Sequence, residues 1–187
     1  MPPKVKITKE NVVETAIELI KKGGEVSLNA RNIATSLGCS TQPIFSNFST
    51  MEDLQNAVIV KAYELYAEFL QNEAASGKYP VYKAFGMAYI RFASEEKELF
   101  KLLFMCDRTG KSFIPTTDFD ASVEMIMNAN KITKEKAELM HLEMWVSVHG
   151  IATILATSFL SLEWELISNI LTDIYQGIRA KHVSEDK

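Results

Sequence analysis

The sequence predicts an all-α fold: an N-terminal three-helix helix-turn-helix domain, joined by a long helix to a helical C-terminal domain. Three observations predict it. No run alternates apolar and polar residues at period two for long, so no strands are expected. Glycines (8) and prolines (5) are few, and apolar residues recur at helical spacing. Residues 27–54, SLNARNIATSLGCSTQPIFSNFSTMEDL, have the pattern of two short helices meeting at a tight turn, followed by the start of a long third helix.

The elements follow in order. Thr8 to about Lys22 reads as the first helix, with Val13, Ala16, Ile17 and Ile20 at i, i+3, i+4 and i+7 and Gly23-Gly24 at its end. A short helix runs from about Leu28 to Leu37 with Ser27 as N-cap. Ala34 is small where the helices cross, Gly38 supplies the turn, and Ile33, Leu37 and Ile44 point into one small core. The next helix, about Thr41 to Asn47, carries Pro43 in its first turn, where proline is tolerated. Ser49-Thr50-Met51-Glu52 is a capping-box pattern that opens a helix to about Ala75. Ser76-Gly77-Lys78-Tyr79-Pro80 breaks it. Domains are therefore expected at 1–50, 76–187, and a connecting helix at 51–75. Within 76–187, helices are expected at about 80–93, 95–105, 118–130, 134–160 and 163–182, with a loop from Cys106 to Thr117.

The composition is that of an ordinary globular chain: 187 residues, 47% hydrophobic, 24% charged. The net charge is −4. Residues 1–55 hold six Lys/Arg and six Asp/Glu, so the acidity lies in the remainder, and Lys4, Lys6 and Lys9 cluster at the N-terminus. Cys39 and Cys106 are far apart and form no CxxC, which points to a reducing, cytoplasmic setting. MPPKVKITKE has no apolar core, so no signal peptide is expected. Met144 to Leu162 holds no charged residue and is long enough to cross a bilayer. Its Ser147, His149, Thr153, Thr157, Ser158 and Ser161, flanked by glutamates, fit a buried helix better, and no membrane partner is expected.

Enzyme motifs are missing from the sequence: no HExxH, P-loop, GxGxxG or GxSxG. Glu138-x-x-His141 has di-iron spacing, but the other histidines are preceded three positions earlier by Val146 and Arg179, so no second pair completes such a site. Neither an enzymatic activity, a metal nor a cofactor is expected.

Arg31, Ile33, Ala34, Gly38, Ser40, Ile44, Phe45 and Phe48, preceded by a Lys-bearing helix and followed by MEDL opening a long one, resemble the TetR family of bacterial transcriptional repressors. The resemblance covers about the first third of the chain. Trp145-x-x-x-His149-Gly150, with ELFKLLFM at 98–105, resembles the Trp-His-Gly class of TetR C-terminal domains. The chain departs from the family pattern at Cys39 (usually Val), Phe45 (commonly Tyr) and Ser49-Thr50-Met51 (usually basic). The resemblance implies a homodimer on a palindromic operator, released by a small-molecule effector.

In a helix-turn-helix the second helix enters the major groove. Gln42 can pair with adenine, and Pro43 or the Thr41 methyl can meet a thymine methyl. The candidate DNA-contacting residues are Lys4, Lys6, Lys9, Arg31, Ser40, Thr41, Gln42, Pro43, Phe45, Ser46, Asn47, Ser49 and Thr50. The last two are expected to help backbone N–H groups of the following helix hold a phosphate. Trp145, His149 and Thr153 form a row at spacing four. With Phe104, Met105, Met125, Met144 and Val148 they suit an apolar pocket wall for a hydrophobic or amphipathic effector. Gly150, Ala152, Leu155, Ala156, Leu162, Leu166, Ile170 and Ile174 are the candidate dimer surface. The alternative is that these residues serve only a helical dimeric interaction protein, with no DNA or ligand.

Overall fold

The computed structural model describes residues 7–107 and 118–184, apart from the side chains of Asp118 and Ser184. Among these residues the structure is all-helical, and no strand occurs. Helix α1 spans Lys9–Gly23. Thr8 caps it reciprocally: its hydroxyl accepts from Asn11 N, and Asn11 Oδ1 accepts from Thr8 N. Val12, not Val13, joins Ala16, Ile17 and Ile20 on the buried face.

A short 3₁₀ turn at Glu25–Ser27 then delays the second helix, α2, to Ala30–Ser36. Asn29 therefore caps it in place of Ser27, accepting from Asn32 N at 2.9 Å. At its C-terminal end Cys39 N donates to Ala34 O and Gly38 N to Thr35 O, the paired bonds of a Schellman motif. Gly38 takes φ 65°, where a side chain would be strained. Helix α3 spans Gln42–Asn47 and α4 spans Met51–Ala75. The cap of α4 lies one residue later than the sequence pattern suggests: Thr50 Oγ1 accepts from Asp53 N, and Asp53 Oδ2 accepts from Thr50 N, both at 3.0 Å.

Helix α5 (Val81–Glu95) and α6 (Lys97–Phe104) are separated by Glu96 alone. Then come α7 (Asp118–Asn130), α8 (Lys134–Ala156) and α9 (Trp164–Ser184). Helix α8 stops four residues before the expected end. Ser158 adopts φ 56°, and Phe159 N and Ser158 N close on Ile154 O and Leu155 O, a Schellman end built without glycine. By length and composition α8 is apolar enough to cross a membrane. In the structure it packs on α5, α7 and α9.

The chain forms two compact units. The first gathers the chain up to Glu68 with Glu96–Cys106. Its core holds Ile20, Ile33, Ile44, Leu54, Leu99, Phe100 and Leu103, all fully buried. The sequence reading put α6 with the C-terminal domain, but α6 packs against α1 and belongs to the first unit. Lys21 Nζ bonds Glu96 Oε1 at 2.8 Å at the start of α6.

The second unit comprises Phe69–Glu95 and the chain from Asp107 onward. A Cβ on Gly86 would come within 3.3 Å of Val148 Cγ2 and 3.7 Å of Leu171 Cδ1, so glycine allows the close approach of α5. Val123, Ile126, Ile132, Ala137 and Met140 form a core cluster. Polar ties close the rest. Arg91 bonds Glu73 at 3.1 Å and lies 4.5 Å over the Trp164 ring. Glu143 accepts from His182 at 2.8 Å and from Lys181 at 3.2 Å. The hydrogen bond from His182, with help from Lys181, holds the Glu143 carboxyl below its ordinary range.

Candidate nucleic-acid interface and effector site

The helix-turn-helix is built from inside outward. Ile44 and Phe48 anchor α3 in the core of the first unit, at 0% and 7% exposure. That anchoring turns Thr41, Gln42, Phe45 and Ser46 to the surface, where all four are exposed. Arg31 on α2 and Ser40 in the turn are exposed as well. Pro43 is half-buried. The Ser46 hydroxyl donates to Gln42 O at 2.9 Å. The Phe45 ring, 47% exposed on a six-residue helix, presents an unusual apolar face to solvent.

Two expectations change here. Asn47 is half-buried, and its amide donates to Ile7 O at 3.1 Å and Pro43 O at 2.9 Å. Both amide protons are thus taken, which leaves none to offer a base acceptor. The start of α4 is no ready phosphate cradle either. Asp53 already occupies the Thr50 N–H, and Glu52 and Asp53 put two carboxylates in the first turn, where they oppose an anion. Ser49 is exposed beside them. Lys9 is exposed, with its ammonium 5.5 Å over the Phe48 ring. Lys4 and Lys6 lie outside the described residues.

The candidate effector residues divide between the units. Phe104 packs edge-on against Tyr63 and Tyr66 in the first unit, and Met105 beside it in sequence is 41% exposed. The others lie in the second unit. There Trp145 and His149 stack, ring centroids 5.1 Å apart and planes 10° apart. Tyr89 of α5, itself buried, places its hydroxyl 2.9 Å from His149 Nδ1. Burial holds the His149 pKa below its ordinary 6.5, which favours the neutral ring. One turn on, Thr153 Oγ1 is buried and has no hydrogen-bond partner among the described residues. Met144 and Val148 do not share this edge of α8. They are buried in the core beside it, at 6% and 7% exposure. Met125 on α7 is half-buried.

The candidate dimer residues also divide. Ala152, Leu155 and Ala156 are buried in the unit's own core, so they offer no surface to a second chain. Gly150 and Leu166 are exposed, and Leu162, Ile170 and Ile174 are half-buried. The structure adds Leu139, Leu142 and Val146, which stand 46%, 50% and 58% exposed along the outer face of α8. Their spacing of three and four is legible in the sequence, as the second apolar face of a helix that already has one. Tyr89 has no such signal, because it meets His149 across 60 positions of chain.

No protein-family model matches the sequence, and no curated protein matches it. Solved structures do. A protein of unknown function from Rhodococcus sp. RHA1 superposes with a TM-score of 0.74 at 19% identity, over 95% of this chain and 98% of that one. A TetR-like transcriptional regulator from the same organism superposes with a TM-score of 0.67 at 14% identity, over 94% of this chain and 96% of that one. The fold is TetR-like. The multidrug binding protein EbrR, complexed with imidazole, shares this TetR-like fold with a TM-score of 0.61 at 14% identity, over 89% and 93% of the two chains. The TetR-like fold thus extends through both units, well past the third of the sequence in which its pattern can be read.

Proposed function

We propose that this chain is a DNA-binding transcriptional regulator that acts as a homodimer and answers to a small hydrophobic or amphipathic effector. The observation that carries the reading is α3: a short helix anchored by Ile44 and Phe48, with Gln42 and its neighbours left exposed, in a chain of TetR-like fold. Gln42 and Arg31 are its base-reading candidates. Gln42→Ala is expected to weaken the preferred duplex by about 5- to 150-fold, the equivalent of one bidentate base contact at ~1–3 kcal/mol, and to relax preference at one base pair. Binding at fixed salt to duplexes selected from a randomised library measures both. Unchanged affinity and preference would remove Gln42 from the reading face.

The dimer reading rests on the outer faces of α8 and α9: Leu139, Leu142, Val146 and Gly150 on one, Leu166, Ile170 and Ile174 on the other. The α8 row is exposed, and the α9 row runs from exposed Leu166 to half-buried Ile170 and Ile174. Exposed apolar surface of this kind marks interaction surfaces, and two-fold pairing is the commonest closed assembly. A repressor role, with release from a palindromic operator, is part of the same reading.

The effector reading rests on Trp145, His149, Tyr89 and Thr153. Met144 to Leu162 carries no Lys or Arg, and burial favours the neutral form of His149, so this stretch of α8 offers an anion no fixed cation. An unpartnered buried hydroxyl costs about 1–3 kcal/mol, which a ligand's polar group can relieve at Thr153. That EbrR, of similar fold, is a multidrug binding protein supports a ligand role. In Trp164→Phe protein, Trp145 is the only tryptophan left. Neutral apolar compounds are expected to quench it and to shift duplex affinity. A panel that alters neither removes the effector from the account.

A further inference from the structure

The outer side of α3 holds few hydrogen-bond donors and one large apolar group. Thr41 already has helical backbone, at φ −72° and ψ −15°. Thr41, Gln42, Phe45 and Ser46 therefore stand at i, i+1, i+4 and i+5 along one exposed side, while Ile44 and Phe48 are buried. The Ser46 hydroxyl proton is engaged by Gln42 O at 2.9 Å. Asn47 gives its amide protons to two backbone carbonyls. The side-chain donors left on α3 are the Gln42 amide and the Thr41 hydroxyl. One turn on from both stands the Phe45 ring, 47% exposed. A single exposed ring on a protein surface is ordinary. This one lies three residues from Gln42 and four from Thr41, on the side that a helix-turn-helix presents to the major groove.

Resting on the regulator reading above, we infer that Phe45 is a specificity-determining residue, whose ring reads the C5-methyl group of one thymine in each half-site. The edges of the base pairs in the major groove are nitrogen and oxygen donors and acceptors, and the thymine methyl is the apolar exception. A phenyl ring pressed on a phosphate or a polar base edge strips its water and returns no hydrogen bond, which is unfavourable. Pressed on a methyl group, it removes apolar surface from water on both sides, which is favourable. Tyrosine at this position would carry a hydroxyl at the tip and could also serve a polar group. Phenylalanine has none, so its selectivity falls on the methyl. Gln42 and Phe45 then divide the work: the amide reads a hydrogen-bonding edge and the ring reads a methyl beside it.

The test uses the full-length chain and the duplex that wild-type protein selects from a randomised library. Each thymine is replaced in turn by deoxyuridine, in both half-sites together. Deoxyuridine lacks the methyl and keeps every hydrogen-bonding group of thymine. One buried methyl corresponds to about 4-fold in affinity, so the symmetric replacement is expected to cost wild type about 15-fold at the thymine that Phe45 meets. Phe45→Ala is expected to bind the thymine and deoxyuridine duplexes equally at that position, and to keep the wild-type preference at the pair read by Gln42. Phe45→Gln, polar and of similar length, is expected to do the same, and Phe45→Leu, still apolar, to retain most of the discrimination. The scan of wild type depends on no variant: if no thymine shows a cost, the inference is overturned. Discrimination that persists undiminished in Phe45→Ala or Phe45→Gln assigns the methyl contact to Thr41 or Pro43 and overturns the inference alone. A wild type that selects no duplex overturns the regulator reading, and this inference with it.

Discussion

Leu142→Glu combined with Leu166→Glu is expected to yield a folded monomer whose affinity for the preferred duplex falls by about 10²- to 10⁴-fold. Both leucines are about half exposed within one chain, at 50% and 47%. Charges at such positions change the stability of the protomer little, by about 0.5 kcal/mol or less. Within an apolar contact between two copies, the same charges are buried without partners, which is strongly unfavourable. The DNA consequence follows from symmetry. A dimer engages two half-sites, and the second engagement is effectively intramolecular, so losing it forfeits most of the affinity without touching α3. Sedimentation at micromolar protein and a mobility shift of the selected duplex check the two halves. A variant that stays dimeric moves the interface off this face. A monomer with full affinity removes the need for pairing.

Ile44→Ala is expected to destabilise the first unit by about 2–5 kcal/mol and to free α3 from it. Ile44 is fully buried, and α3 has only six residues. So short a helix has little stability of its own and depends on packing. Losing the anchor is therefore expected to cost the orientation of Gln42 as well as melting temperature. Trp145 and Trp164 both lie in the second unit, so tryptophan emission follows that unit while circular dichroism follows the whole chain. The expected signature is an early loss of helical signal that tryptophan emission does not share, with no specific duplex binding. A melting curve within about 0.5 kcal/mol of wild type would show that Ile44 is not what holds α3.

Local rules carried the fold a long way. The breaks at Gly23-Gly24, Gly38 and Ser76–Pro80 stand where turn chemistry put them, because glycine and proline act on the backbone whatever surrounds them. The caps slipped by one or two residues where competing Ser, Thr and Asn side chains sit side by side. Asn29 won over Ser27 because a 3₁₀ turn intervened, and Thr50 over Ser49 because Asp53 answered it. The end of α8 was missed because Ser158, not glycine, takes the left-handed position.

The candidate sites were less legible, for a different reason. Residue type in a sequence shows what a side chain can do, not which way the helix turns it. Asn47 has the chemistry of a base reader, but its amide is engaged by Ile7, a contact with no local pattern. Met144 and Val148 belong to the same apolar stretch as Trp145, yet they face the core while Trp145 faces outward. The facing of α8 was available in principle. Ala137, Met140, Met144, Val148, Ile151 and Leu155 make one apolar stripe, and Leu139, Leu142 and Val146 make a second. A helix apolar on two sides needs two partners, and the chain supplies a core for one of them. Small residues at Ala152 and Ala156 fit the first stripe, not the second.

A hydroxyl-radical footprint of the full-length protein on its selected duplex tests the central claim most directly. The account predicts two equal protected patches related by a two-fold axis, centred about 34–36 Å apart or a multiple of that, as two α3 helices in successive major grooves require. Protection should appear at protein concentrations well below the non-specific range, which begins at about micromolar. A footprint with no preferred sequence, or one that appears only at non-specific concentrations, would contradict the account and leave this TetR-like chain a helical interaction protein.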